Sequence, residues 1–205
     1  MIAVVDYGVG NLFSICCSLK AVGAEAKVVS DPKTLKSAGK LLLPGVGAFG
    51  DAAALLSKSG MGEAVREEVK KGKPLLGICL GMQLLFDKSL EYGEHAGLGL
   101  IPGVIRPVSE SVKTGMKIPQ IGWNALEITK KDSAIFKYVK SGDHVYFVHS
   151  YHAVCDDKYI SAVTDYGGTV TASAENGNVF GCQFHPEKSG EVGLSILRAF
   201  CEKEG

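Results

Sequence analysis

Through the first half of the chain, short runs of consecutive apolar residues alternate with stretches whose apolar positions recur every three or four residues. "IAVVD" reads as a strand, "NLFSICCSLKAVG" as a helix, "AKVV" as a strand and "PKTLKSA" as a short helix. The alternation continues with a strand in "KLLLPG", helices in "AFGDAAALLSKSG" and "MGEAVREEVKKG", and a strand from Pro74 to Ile78 that runs into a helix over Leu80 to Phe86. Strands apolar on both sides belong to a parallel sheet whose crossover helices cover both faces. In "MGEAVREEVKKG" Met61, Val65 and Val69 recur every fourth position, which leaves the charges on the outer, solvated face.

From about residue 100 the pattern changes to short alternating or β-branched runs: "GVIRPV", "ALEIT", "HVYFVHSY", "YISAVTDY", "TVTASA" and "NVFGCQF". "ENGN" before the last run is a hairpin signal, because Asn-Gly tolerates the positive φ a tight turn requires. These pieces are expected to extend or edge the parallel sheet as antiparallel strands. The chain closes on "SGEVGLSILRAFCEK", a helix with Val192, Ile196 and Phe200 on one side. No repeat or linker interrupts it, so residues 1–205 read as a single-domain, open α/β fold with a mostly parallel sheet, flanking helices and added antiparallel strands.

Composition narrows the function classes. A chain of 205 residues, 46% hydrophobic and 21% charged, can bury one sizeable core. Lysine plus arginine and aspartate plus glutamate each number 22, so no basic stripe points to nucleic acid. No apolar run approaches the ~18 residues of a membrane span, and "MIAVVDYG" enters a strand without a basic leader, so a cytoplasmic protein is expected. Six cysteines, at 16, 17, 79, 155, 182 and 201, form no CxxC pair and read as free thiols in a reducing compartment. Cys16, Cys17 and Cys201 fall in helical patterns and Cys155 and Cys182 in strand patterns, where cysteine acts as a small hydrophobe. No ligand pair has metal spacing, and neither metal nor cofactor is expected.

Cys79 differs from the other five because it stands at the strand-to-helix corner of "GICLG", with a glycine two residues away on either side. A nucleophile on such an elbow is lifted into the open at a strand's carboxyl end, and small flanking residues let neighbouring segments approach. The N–H groups of a following helix favour thiolate, and the N–H of Leu80 is a ready oxyanion donor. A strand-end cysteine between glycines also serves simple packing, so the corner alone leaves both readings open. "CQFHPEKSG" supplies a base and an orienting carboxylate. His185 and Glu187 are two apart, so in an extended segment they leave on one side, and Pro186 favours that conformation. "LLLPGVGAFG" supplies a strand end followed by Gly45, Val46 and Gly47, a loop short of side chains whose backbone can approach a substrate carbonyl.

"GICLGMQLLF" together with "FHPE" resembles the class I glutamine amidotransferases. "VVDYGVGNLFS", "LPGVGAFGDA", "IPQIGWN", "YFVHSYHA" and "QFHPEKSG" are similar, within that family, to the glutaminase subunits of imidazole glycerol phosphate synthases, and the likeness runs nearly end to end. It departs at Gln120, where those proteins carry histidine, and at Pro107, where an aromatic is usual. The resemblance implies hydrolysis of glutamine by a Cys79–His185–Glu187 triad, with Leu80 and Gly45 to Gly47 around the oxyanion. It further implies glutamine contacts from Gln83, Glu91 and the backbone of Ser150 and Tyr151. Gln83 follows Cys79 by one helical turn on the same face. His149 and His152, three apart on one strand, point to opposite sides and are read as structural.

A chain this short has no room for a second, ammonia-using domain. By resemblance its partner is a (β/α)8-barrel cyclase in a heterodimer, making imidazole glycerol phosphate and aminoimidazole carboxamide ribotide in histidine biosynthesis. The docking face is placed at Asn11 and at Pro119, Gln120, Trp123 and Asn124. Three other readings compete. A glutaminase of pyridoxal phosphate synthesis is disfavoured because its Gly-Gly-Glu-Ser-Thr substrate loop is absent. A binding module that lost its chemistry would show a broken triad, and a peptidase of similar fold is separated by its substrate.

Overall fold

The computed structural model describes residues 1–203, so the last two residues of the expected 1–205 domain lie outside the description. The first half runs β1 (Ile2–Val5), α1 (Leu12–Ala21), β2 (Ala26–Val29), β3 (Lys40–Leu43), α2 (Phe49–Lys58), α3 (Met61–Lys70), β4 (Leu75–Ile78) and the single turn α4 (Leu80–Gln83). Next come β5 (Phe86–Ser89), β6 (His95–Ala96), β7 (Ile101–Pro107), β8 (Gln120–Ala125), β9 (Glu127–Ile128), β10 (His144–His149) and β11 (Tyr151–Val154). The chain ends with β12 (Ile160–Asp165), β13 (Thr169–Asn176), β14 (Val179–Cys182) and α5 (Gly190–Glu202).

The main sheet has the order β2-β1-β3-β4-β14-β13-β12-β9, parallel from β2 through β14 and antiparallel beyond. Strand alternation sorts the side chains into two layers. Ala3, Val5, Leu41 and Leu43 face α2 and α3, where Phe49, Leu56, Met61 and Val65 meet them. Ile2, Val4, Leu42 and Leu76 face α1 and α5, against Ile15, Leu19, Ile196 and Phe200. Helices on both faces explain why these strands are continuously apolar. Each large buried side chain contributes about 1.5–3 kcal/mol through burial.

Several expectations are corrected. The helix after Cys79 is one turn, because Phe86–Ser89 pairs in parallel with β7 as β5 instead of continuing the helix. β14 is parallel to β4, not an antiparallel addition; only β13, β12 and β9 extend the sheet that way. The remaining strands form two small sheets of their own, β10-β8 and β11-β7-β5-β6. β8 is a strand that no periodicity announced. Cys155 lies just past β11 instead of within a strand, and all six cysteines are free. The segment carrying His149 and His152 breaks at Ser150, so the two do not share one strand.

Candidate active site

β4 delivers Cys79 to the carboxyl edge of the sheet in a strained conformation, φ 54° and ψ −112°. A non-glycine residue with positive φ needs its surroundings to hold it there. The Cys79 N–H donates to the Cys182 carbonyl (2.7 Å) and its own carbonyl accepts from the Gln83 N–H (3.1 Å). The glycines on either side are there for close approach. A Cβ on Gly81 would lie 1.9 Å from the Leu43 carbonyl oxygen, and one on Gly77 would lie 2.7 Å from the Gly81 oxygen. The elbow can therefore nest against the end of β3 only without side chains at these positions.

β14, beside β4, brings the second half of the site. His185 is buried, and its N–H donates to the Tyr146 carbonyl (2.9 Å). Its Nδ1 lies 2.8 Å from Glu187 Oε1. The pair is made by a 3-10 turn over Pro186–Lys188 and not by strand alternation, although His185 itself is extended. The Glu187 carboxylate is enclosed, and its Oε2 has no partner. Burial pulls the His185 imidazole down, but hydrogen bonds to Cys79 and Glu187 outweigh it and lift the pKa to about 9. A histidine that holds its proton beside the cysteine and the carboxylate is the arrangement that follows.

These groups open into a cleft of about 350 Å³. Cys79, Leu80, Val46, Gly47, Gln83, Glu91, Ser150, Tyr151, His185 and Pro119 all line it, so ten sequence-derived candidates meet at one place. Gly45 lies behind the lining: a Cβ there would meet the Gly81 nitrogen at 2.7 Å. Gln83 Nε2 donates to the Tyr151 carbonyl and to Gln183 Oε1, both at 3.0 Å. Glu91 Oε2 accepts from the Phe49 N–H at the start of α2 (2.6 Å), which fixes its otherwise unreadable orientation.

The proposed docking residues divide. Trp123 is 54% exposed and meets Tyr146 edge-on. Gln120 is fully buried, bonded to Asn124, so it cannot present its side chain to a partner. Its register partner His149 explains why: both lie on the inward face of the β8–β10 ribbon. Asn11 caps α1 by accepting from the Ser14 N–H (3.4 Å).

Four further groups lie at or beside the cleft: His149, expected to be structural, and Tyr7, Gln183 and Lys188, which no sequence pattern singled out. His149 lines the cleft; its Nδ1 donates to the Tyr151 carbonyl (2.8 Å) and its Nε2 is unpartnered. The Tyr7 hydroxyl donates to the Pro44 carbonyl (2.9 Å), holding the start of the glycine loop. Burial and the nearby Cys79 raise the Tyr7 pKa, so that hydroxyl keeps its proton. Gln183 sits two residues before His185, a spacing that could have flagged it, and lies 3.8 Å from the Cys79 sulfur. Lys188 lines the rim, with its Nζ 5.8 Å from the Tyr146 ring centroid.

The family model for "Glutamine amidotransferase class-I" matches residues 3–203. The chain belongs to the class-I glutamine amidotransferase family. Among curated relatives, this amidotransferase is 52% identical over 203 residues to "Imidazole glycerol phosphate synthase subunit HisH" of Caldanaerobacter subterraneus subsp. tengcongensis, covering 98% of each chain. It is 50% identical over 204 residues to the protein of the same name from Wolinella succinogenes, covering 98% of this chain and 99% of that one. Among solved structures, the amidotransferase resembles PurLQS from Thermotoga maritima, with TM-score 0.77 and 22% identity over 97% of this chain and 96% of that one. That likeness confirms the fold.

Proposed function

We propose that this amidotransferase is the glutaminase subunit of imidazole glycerol phosphate synthase. It hydrolyses glutamine to glutamate and ammonia and serves histidine biosynthesis, as its half-identical relatives named HisH indicate. The observation that supports the mechanism most directly is the convergence on one cleft of an elbow cysteine and a histidine backed by an enclosed carboxylate. In our reading the Cys79 thiolate attacks the glutamine Cδ carbonyl and pushes its electron pair onto oxygen. The Leu80 N–H and the Gly45, Val46 and Gly47 backbone stabilise that oxyanion. As the C–N bond breaks, protonated His185 gives its proton to the departing ammonia, leaving a thioester. Neutral His185 then takes a proton from water, which attacks the thioester and releases glutamate and thiolate. Glu187 orients and stabilises the imidazolium.

Gln83, Glu91, Ser150 and Tyr151 are assigned to the amino-acid end of glutamine. Both N–H groups of the Gln83 amide are committed to Tyr151 and Gln183, so its Oε1 is the group left to accept from the substrate ammonium. We further propose that residues 1–205 act as one domain in the cytoplasm and pair with a (β/α)8-barrel cyclase. Ile121 and Trp123, both exposed on β8, are the apolar anchors suited to that contact, and the neighbouring Pro119 lines the cleft. Among the described residues no helix is long and apolar enough to cross a membrane.

The test is glutamate release by the chain assembled with the cyclase subunit and its nucleotide substrate. Cys79→Ala should release none, while the assembled variant still forms product from added ammonium salt. Undiminished glutamine-driven turnover in Cys79→Ala would refute the assignment.

A further inference from the structure

Gln183 is fully buried at the end of β14, and its side chain touches the sulfur of Cys79 across 104 residues of chain. Which end of its amide faces that sulfur follows from a chain of obligate partners. The Tyr151 carbonyl can only accept, so the group of Gln83 that meets it is Nε2. The same Nε2 meets Gln183 at 3.0 Å, so the atom it meets there is Oε1. That leaves Gln183 Nε2 as the atom 3.8 Å from Cys79 Sγ, within hydrogen-bonding range for sulfur. Flipping the Gln183 amide would set two NH₂ groups against each other and an oxygen against the sulfur. The donor direction toward Cys79 is thus dictated by a backbone carbonyl on the far wall of the cleft.

We propose that Gln183 is a positioning residue for the nucleophile: its amide N–H donates to the Cys79 sulfur, favours the thiolate and fixes its direction. This rests on the glutaminase reading and adds a fourth group to the triad. A donor to an anion is stronger than one to a neutral partner, so the contact gains strength as the thiol ionises. His185, which interacts with the same sulfur, also lines the cleft, so the amide of Gln183 and the imidazole both bear on the nucleophile. The relay also ties the nucleophile to Gln83 and Tyr151, which line the substrate cleft.

The test is the pH profile of Cys79 alkylation by iodoacetamide, followed by peptide mapping on the full chain, in wild type, Gln183→Met and Gln183→Glu. Methionine keeps the length and removes the donor; glutamate keeps the Oε1 acceptor for Gln83 and places a negative charge against the sulfur. At pH 7 alkylation should slow about threefold to tenfold in Gln183→Met and at least tenfold in Gln183→Glu, with all three converging at high pH. A role in packing alone would change the limiting rate or the melting temperature and leave the profile in place. In the complex with the cyclase, kcat for glutamine should fall about tenfold in Gln183→Met with KM within about threefold. Should Gln183→Glu not fold, Gln183→Met decides by itself. Profiles that overlay wild type at every pH overturn the assignment. Because alkylation uses no glutamine, failure of the glutaminase reading shows separately, as absent glutamate release by the wild-type complex.

Discussion

His149 and His152 are buried neutral, and the chain should lose stability as they are forced to ionise. His149 Nδ1 donates to the Tyr151 carbonyl, and its enclosed Nε2 would gain a proton with nothing to receive it. His152 Nδ1 accepts from the Thr171 N–H (3.3 Å) while its Nε2 meets Ser111 Oγ (2.8 Å), so a second proton would set two donors face to face at Thr171. Burial lowers both pKa values to about 4; for His149 the hydrogen bond to Tyr151 opposes it and the neighbouring His152 and His185 add to it, and for His152 the Glu110 carboxylate opposes it. The unfolded chain takes up these protons near pH 6.5, so it binds more protons than the native state between about 6.5 and 4. Stability contributed by each histidine is therefore present above pH 6.5 and is lost as the pH falls toward 4. A gap of about 2.5 pH units is about 3 kcal/mol per histidine. His185 does not contribute in this window, because its raised pKa leaves it protonated in both states below 6.5. Urea unfolding followed by circular dichroism at pH 7, 6, 5 and 4.5 should show a fall of at least about 3 kcal/mol, or roughly 6–12 °C in Tm. His152→Gln can keep both bonds without titrating, and should flatten about half of that slope. A wild type equally stable at pH 7 and 4.5, or a variant with the wild-type slope, would refute the reasoning.

Other expectations follow from the site. The raised His185 pKa sets an alkaline limb: kcat/KM should decline as the pH rises through about 9, where the proton for ammonia is lost, and His185's contribution to stability, complete below 6.5, disappears over the same range. A kcat/KM still rising at pH 10 would contradict it. Gly81→Ala forces a methyl into the Leu43 carbonyl at 1.9 Å and should cost about 3 kcal/mol or more, read as a Tm loss with the elbow's chemistry. Glu187→Gln retains an oxygen for His185 Nδ1 and should lower kcat about 10- to 100-fold, a smaller loss than in His185→Ala. Trp123→Ala should weaken cyclase binding, measured by titration calorimetry, with little effect on Tm because the ring is half exposed.

Features encoded over a few residues were legible in the chain. The apolar runs of β1, β3 and β4 and the four-residue recurrence in α3 gave the parallel sheet and its helices, because strand and helix periods leave local marks. The convergence of the proposed triad could be anticipated for the same reason: an elbow between glycines and an H-x-E after a strand are short patterns. The run from Leu84 to Phe86 was misread as helix because a short apolar run fits either period, and pairing with the distant β7 decides it. β8 stayed hidden because Gly122 breaks its alternation, and Gln120 turns inward only once paired opposite His149. Nothing near His149, His152 or Gln183 tells which atoms they will meet. Those partners, Tyr151, Thr171 and Gln83, are chosen by the finished packing.

The parallel ladder between β4 and β14 has a consequence for biosynthesis of the chain. Its register, Leu75 to Val179 through Ile78 to Cys182, joins segments made far apart in time, and closing so long a loop is a slow step in folding. Until β14 inserts beside β4, a nascent chain carries the elbow cysteine without the carbonyl of Cys182 that accepts its N–H, and without Gln183 or His185. A ribosome-bound or truncated chain ending before Val179 therefore carries Cys79 without any of these partners. The surroundings of that sulfur are a property of the completed sheet, and a cell making this protein meets them only after the last strand has docked.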